Sequence, residues 1–242
     1  MNLFNAKRIL PSIFTLGNLL CGFLAINNVI EGSYASAAWW IIIAGIFDAL
    51  DGKIARLTGS SSEFGIEFDS IADVISFGIA PAVLIYHYAL IEGGRIGYFL
   101  AFCFLAAGAI RLARFNLKAT TGKKTHFTGM PIPAGAGILA SYVLFCENVW
   151  NELAQFDIVI VLTILSSLAM VSHFKYNIMP RIGFGTRRDS IRSIWFICHI
   201  LIIARFPDEV FFPTGILYLI SGPIKSLTAP AVNHVFNKAD SR

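Results

Sequence analysis

Four aspartates, Asp48, Asp51, Asp69 and Asp73, fall within 26 consecutive residues in the order Asp-x2-Asp-Gly-x2-Ala-Arg-x8-Gly-x3-Asp-x3-Asp, inside a chain that is otherwise strongly apolar. Carboxylates at membrane depth are costly unless they are paired, bind a metal or face a watery cavity, so four in succession mark a site. Oxygen-only ligands of this kind suit hard divalent cations such as Mg2+ or Mn2+, and a cation relieves the repulsion between converging carboxylates. Two such ions about 3.5 to 4 Å apart are a recurrent means of stabilising the attacking and leaving oxygens of a phosphoryl displacement. Arg56, one turn beyond Gly52, is placed to meet a phosphate oxygen. The bland alternative is a charge network that only holds helices together. Against it, the window sets four aspartates against Lys53 and Arg56, and unpaired buried charge is expensive. Lys53, on the flank of the acidic stripe, reads as a residue that snorkels to the interface.

Helical spacing says how such residues come together. Asp48, Asp51 and Ala55 stand at i, i+3 and i+7, on one face with Gly45 and Gly52 close by, while Ile42, Ile46, Leu50, Ile54 and Leu57 fill the rest of the helix. After a loop from Thr58 to Phe64, Gly65, Asp69 and Asp73 recur at i, i+4 and i+8. Two antiparallel helices joined by a short polar turn bring these two stripes face to face, and Gly52 and Gly65 allow backbones or a bulky ligand to approach closely.

The elements that carry the stripes are membrane spans. The chain is 56% hydrophobic, 13% aromatic and only 14% charged, against about 25% charged residues in soluble domains. Apolar runs predict an all-α, polytopic membrane helix bundle with spans over 12–30, 34–57, 66–91, 96–115, 132–150, 155–173, 190–205 and 209–224, each judged against the roughly 20 apolar residues that a spanning helix needs. Span seven is short and span eight contains Pro213, Gly222 and Pro223, so six or seven crossings stay open at this stage. Residues 2–10, with Lys7 and Arg8, read as a short interfacial helix. No cleavable leader is expected, because the first apolar run is about long enough to span and no small-residue cleavage site with a soluble domain follows it. The cysteines Cys21, Cys103, Cys146 and Cys198 lie one per apolar segment without a CxxC pair. They indicate neither zinc nor a disulfide framework. The five histidines show no metal-ligand spacing and receive no role.

Basic residues orient the bundle, because cytoplasmic ends hold the excess of lysine and arginine. With a cytoplasmic N-terminus, only Arg95 and Arg205 of the 19 basic residues fall outside, and the outer loops carry Glu31, Glu92, Glu147, Glu152, Asp157, Asp208 and Glu209. This orientation puts the aspartate window on the cytoplasmic side.

With its gaps and fixed residues all met, the pattern Asp48-x2-Asp51-Gly52-x2-Ala55-Arg56-x8-Gly65-x3-Asp69-x3-Asp73 resembles the signature of the CDP-alcohol phosphotransferases, integral membrane enzymes of phospholipid synthesis. The resemblance implies a six-helix core, often homodimeric, with a cytoplasm-facing cavity open to lipid. The expected division is an interfacial helix over 1–11, the six-span core over 12–175, two further spans over 176–229 and a cytoplasmic tail over 230–242. It also implies that Asp48, Asp51, Asp69 and Asp73 bind two Mg2+ or Mn2+ ions, with Asp73 serving in addition as general base. Gly52, through close approach, and Arg56, through phosphate, would contact the CDP moiety, and Gly65 belongs to the same site. Ser62 is either a further diphosphate contact or an ordinary loop serine beside Ser60 and Ser61. Pro11, Thr15 and Asn18 occupy the place of a family segment near the first span that lines the pocket, although Ser12 stands where that segment often has asparagine.

Three further stretches, Ser76 to Pro81, Arg111 to Asn116 and Phe127 to Ala134, resemble the branch of the family whose acceptor is serine. Arg111 and Arg114 could hold an amino acid carboxylate and Asn116 could add a polar contact, or the arginines could simply anchor a helix end at the interface. Gly129, Pro131 and Pro133 read as shaping the start of the fifth span. The implied substrates are CDP-diacylglycerol and L-serine, with CMP released and membrane lipid around the site; nucleic acid is not an expected partner. With no cysteine or histidine at the motif, a direct displacement is preferred over a covalent intermediate. Another acceptor, such as glycerol 3-phosphate or an inositol compound, is the nearest rival reading. A cation or proton transporter is the rival from a different class.

Overall fold

The computed structural model describes residues 3–58, 62–120, 129–150, 155–176 and 186–239, and almost all of them are helical. The helices are α1 (Leu3–Ile30), α2 (Tyr34–Thr58), α3 (Glu63–Asp73), α4 (Ala80–Tyr88), α5 (Gly94–Thr120), α6 (Ile132–Phe145), α7 (Phe156–Val171), α8 (Arg187–Arg205) and α9 (Pro207–Ala239). Among the described residues, five stretches are long and apolar enough to cross a membrane: Ser12–Ile30, Tyr34–Ala55, Glu63–Tyr88, Leu90–Leu117 and Ile132–Trp150. The protein is therefore a multi-pass integral membrane protein. A sixth apolar helix, α7, has 16 residues, about 24 Å at 1.5 Å per residue, short of the roughly 30 Å hydrocarbon layer. Residues 3–11 run into the first span without a break, and the stretches expected as spans seven and eight lie within α8 and α9.

α6 forms the centre of the bundle. Gly135, Ala136 and every residue from Ile138 to Leu144 are buried, and the helix packs against α2, α4, α7 and α9. Its start is fixed from outside. Gly129 adopts φ 88°, a left-handed conformation that suits glycine, and its N–H donates to the Phe174 carbonyl while that of Met130 donates to Ala169. Pro131 then caps α6 and Pro133 sits in its first turn, where a missing N–H costs nothing. The two prolines do shape the beginning of this span.

The third span departs from one regular helix. Between α3 and α4, residues Val74–Ile79 form a π-helical turn, in which the Ala80 N–H reaches back five residues to the Ile75 carbonyl. Pro81 explains the widening: it has no N–H to donate, and its ring would collide with the carbonyl four residues earlier in a regular helix. Such inserted turns recur at functional sites. This one begins directly after Asp73.

Candidate active site

α1, α2 and α3 build the acidic site. The long antiparallel packing of α1 on α2, and of α1 on α3 and the π turn, turns the stripes of α2 and α3 inward to meet one face of α1. Carboxylate oxygens of Asp48, Asp51 and Asp69 lie within 4.8 Å of one another. Asp51 is buried and accepts a hydrogen bond from the Thr15 hydroxyl at 3.0 Å. The Asp69 carboxylate and the Gly52 amide lie close beside it. Two carboxylates this close repel unless a cation or a proton lies between them.

Asp73 is held differently. It is 7% exposed and its Oδ1 accepts from the Asn18 side-chain amide at 3.2 Å. Asp48 and Asp69 are its strongest electrostatic neighbours. The four aspartates thus divide into a cluster of three and a fourth that α1 holds beside it.

The donor set fits a hard divalent cation. It is all oxygen and acidic, and Oδ1 of Asp69 is buried without a hydrogen-bond partner. A buried carboxylate oxygen left in that condition is expensive, and a metal ligated there removes the cost.

The glycines of the motif have separate physical reasons. A Cβ built on Gly52 meets no atom within 4 Å, and its φ is ordinary, so neither packing nor backbone geometry requires glycine there. Within a helix glycine is less favourable than alanine by about 1 kcal/mol, and the open space beside this residue is available to a ligand. Gly52→Ala is expected to keep or slightly raise the unfolding temperature while lowering turnover at least about tenfold; parallel thermal unfolding and CMP-release assays would show both. Gly65 lies at the start of α3, where its N–H donates to the Ser62 hydroxyl at 3.0 Å. Ser62 is the N-cap of α3, which is the structural task of a serine in this position. The side chain of Arg56 lies outside the described residues.

The three residues expected at an acceptor pocket fan out around α5. Arg111 is 8% exposed, with Asp73, Tyr218 and Asp48 as its electrostatic neighbours, and it lies over the Phe115 ring at 5.5 Å. Arg114 instead donates to the Val171 carbonyl at 2.8 Å and approaches His173, capping the C-terminal end of α7 as a cation there should. Asn116 donates to the Ser70 hydroxyl at 2.8 Å. Both line a cleft of about 360 Å³ between α3 and α5, together with Glu67, Ile71 and Leu112. Only Arg111 of the three turns toward the aspartates.

Two residues that received no individual role from the sequence also lie at the site. Ser76, in the π turn, is fully buried and donates to the Asn18 carbonyl at 2.8 Å. Tyr218, on α9, neighbours Arg111 and packs with its ring tilted 41° to that of Tyr176 at a centroid distance of 5.4 Å; the Tyr176 hydroxyl donates to the Leu219 carbonyl. The first had a signal in Pro81. The second had none, being more than a hundred residues from Arg111.

A helical membrane bundle with an all-oxygen acidic cluster able to hold a cation on the second and third spans, a buried carboxylate beside it and open space at Gly52 has the elements of a phosphoryl-transferring membrane protein. The chain belongs to the CDP-alcohol phosphatidyltransferase family, which it matches over residues 8–177. It is 35% identical over 239 residues to a CDP-diacylglycerol–serine O-phosphatidyltransferase of Helicobacter pylori, covering 98% of both chains. It is 36% identical over 179 residues to the archaetidylserine synthase of Methanothermobacter thermautotrophicus, covering 73% of each. A CDP-diacylglycerol–serine O-phosphatidyltransferase of Methanocaldococcus jannaschii is 38% identical over 180 residues, 74% of this chain and 79% of that one.

Proposed function

We propose that this protein transfers the phosphatidyl group of CDP-diacylglycerol to the hydroxyl of L-serine, giving phosphatidylserine and CMP. The observation that carries the reading is the division of the aspartates, three within 4.8 Å and the fourth held apart by Asn18, in a chain similar over almost its whole length to a serine-using relative. Asp48, Asp51, Asp69 and Asp73 would hold two Mg2+ or Mn2+ ions. Bound there, divalent cations supply charge neutralisation for the diphosphate and for the oxygens gained and lost at phosphorus.

The chain's own residues do the rest. Thr15 fixes one carboxylate of the cluster, Gly52 leaves the space through which the nucleotide approaches, and Arg56 lies one turn further along the same helix for a phosphate oxygen. Asp73 takes the proton of the serine hydroxyl as that oxygen forms a bond to the phosphorus bearing diacylglycerol, and the bond from that phosphorus to the CMP oxygen breaks. Arg111, buried beside Asp73 and Asp48, is suited to the serine carboxylate. The excess of basic residues at one side of the bundle supports an orientation with this chemistry at the cytoplasmic face of the cell membrane.

Purified protein given CDP-diacylglycerol and Mg2+ or Mn2+ should release CMP when serine is added and not when glycerol 3-phosphate or inositol replaces it. Release with another alcohol in place of serine would reassign the acceptor, and no release with any of them, together with cation flux in vesicles, would point to transport. Arg111→Lys keeps the charge but loses the two-pronged geometry. It should raise KM for serine roughly 10- to 100-fold, the worth of a charge-assisted hydrogen bond, and leave KM for CDP-diacylglycerol within about threefold.

A further inference from the structure

We infer that Ser76 and Asn18 form a clamp that sets the carboxylate of Asp73, with Ser76 a positioning residue that does not itself meet the substrate. The inference rests on the reading of Asp73 as proton acceptor.

Asn18 is gripped twice by one turn of the third span. Its side-chain amide donates to Asp73 at 3.2 Å, and its backbone carbonyl accepts from Ser76 at 2.8 Å. Both Asn18 and Ser76 are completely buried, so neither bond exchanges freely with water. Asp73 and Ser76 are three residues apart, about one turn, and look at α1 from the same side. A carboxylate with a single hydrogen bond from a mobile amide can rotate; one whose amide is anchored through its own backbone to the next turn has far less freedom.

The clamp has a requirement on α1. In a regular helix the Asn18 carbonyl already accepts the N–H of Gly22, so the bond from Ser76 is an additional one and must arrive from the side. A Cβ on Gly22 would sit 2.9 Å from Ser76 Cα and would overlap its hydroxyl oxygen. Glycine at 22 is what lets the π turn come this close. Within the cluster of Asp48, Asp51 and Asp69 it is Thr15 that holds Asp51, and no hydrogen bond joins Ser76 to any of the three. The clamp should therefore govern the chemical step more than the binding of nucleotide, and touch metal binding only through Asp73, one of the four proposed ligands.

A buried serine that only satisfies its own hydroxyl on a helix carbonyl would behave otherwise, and kinetics separate the two. Ser76→Ala, Gly22→Ala and the double variant are assayed for serine-dependent CMP release, with stabilisation of each by Mn2+ against heat as a readout independent of turnover. Ser76→Ala is expected to lower kcat about tenfold, with KM for CDP-diacylglycerol within twofold and most of the Mn2+ stabilisation retained, since three of the four proposed ligands are unaffected. Gly22→Ala should lower kcat similarly although the hydroxyl is still present. The double variant should lose much less than the product of the two single losses, since both break one link. If Ser76→Ala does not fold, Ser76→Cys, close in size and a weak donor, replaces it with the same expectation. Full kcat in the serine variant, a loss expressed mainly in KM, disappearance of the Mn2+ stabilisation, or independent losses in the double variant would overturn the clamp. Wild-type protein that releases no CMP with serine would instead refute the proposed function.

Discussion

Asp73→Asn should lower the rate of CMP release by roughly 10²- to 10⁴-fold, the usual contribution of a positioned general base, while the protein folds and still takes up CDP-diacylglycerol. Asparagine has the shape of aspartate, and its carbonyl oxygen can still accept the Asn18 amide that Asp73 Oδ1 accepts at 3.2 Å. What it cannot do is take a proton. The substitution also removes one charge from a buried site where Asp48, Asp69 and Asp51 are the neighbours, so the unfolding temperature should stay level or rise. Single-turnover CMP release and equilibrium binding of CDP-diacylglycerol, measured on one preparation, check both halves. A variant with near-normal turnover removes Asp73 as the base, and a variant that binds no nucleotide shows its main part to be ligation.

Asp69→Asn should abolish the stabilisation that Mg2+ or Mn2+ confers on the protein. A ligand at 100 times its dissociation constant stabilises the folded state by about 2.7 kcal/mol, readily seen as a shift in thermal unfolding. Asp69 belongs to the close cluster with Asp48 and Asp51, and one of its oxygens is buried without a partner. Replacing it removes a ligand and relieves repulsion at once. The metal-free variant should therefore be at least as stable as metal-free wild type, and the metal-dependent increment should vanish with activity. An unchanged increment would place the cation elsewhere.

The acidic stripes were legible because helical periodicity is a local property: Asp48 with Asp51, and Asp69 with Asp73, share faces whatever surrounds them. Their convergence followed from the short connection between two antiparallel helices. The division into three and one was not legible, since it depends on Thr15 and Asn18 reaching across from α1.

At the acceptor side the same periodicity carried a warning. At 100° per residue Asn116 points about 140° away from Arg111, and it does face α3 while Arg111 faces the aspartates. Arg114, only 60° from Arg111 by that count, is drawn away by the carbonyl at the end of α7, a partner 57 residues distant in the chain. The segment from Ser76 to Pro81 reads in sequence as part of an acceptor signature, and in the folded chain it is the π turn that seats Ser76 against Asn18. Pro81 announces a distortion of the third span, but not which side chain the distortion delivers to α1.

Central is the proposal that this site joins serine to the phosphatidyl group of CDP-diacylglycerol with release of CMP. It is tested most directly by counting both products from purified protein in vesicles containing CDP-diacylglycerol, with labelled serine and Mn2+. One labelled serine recovered in extractable phospholipid for each CMP released, with neither formed when a chelator removes the metal, is the result expected. CMP released without serine entering lipid, or labelled lipid formed undiminished in the presence of the chelator, would contradict it.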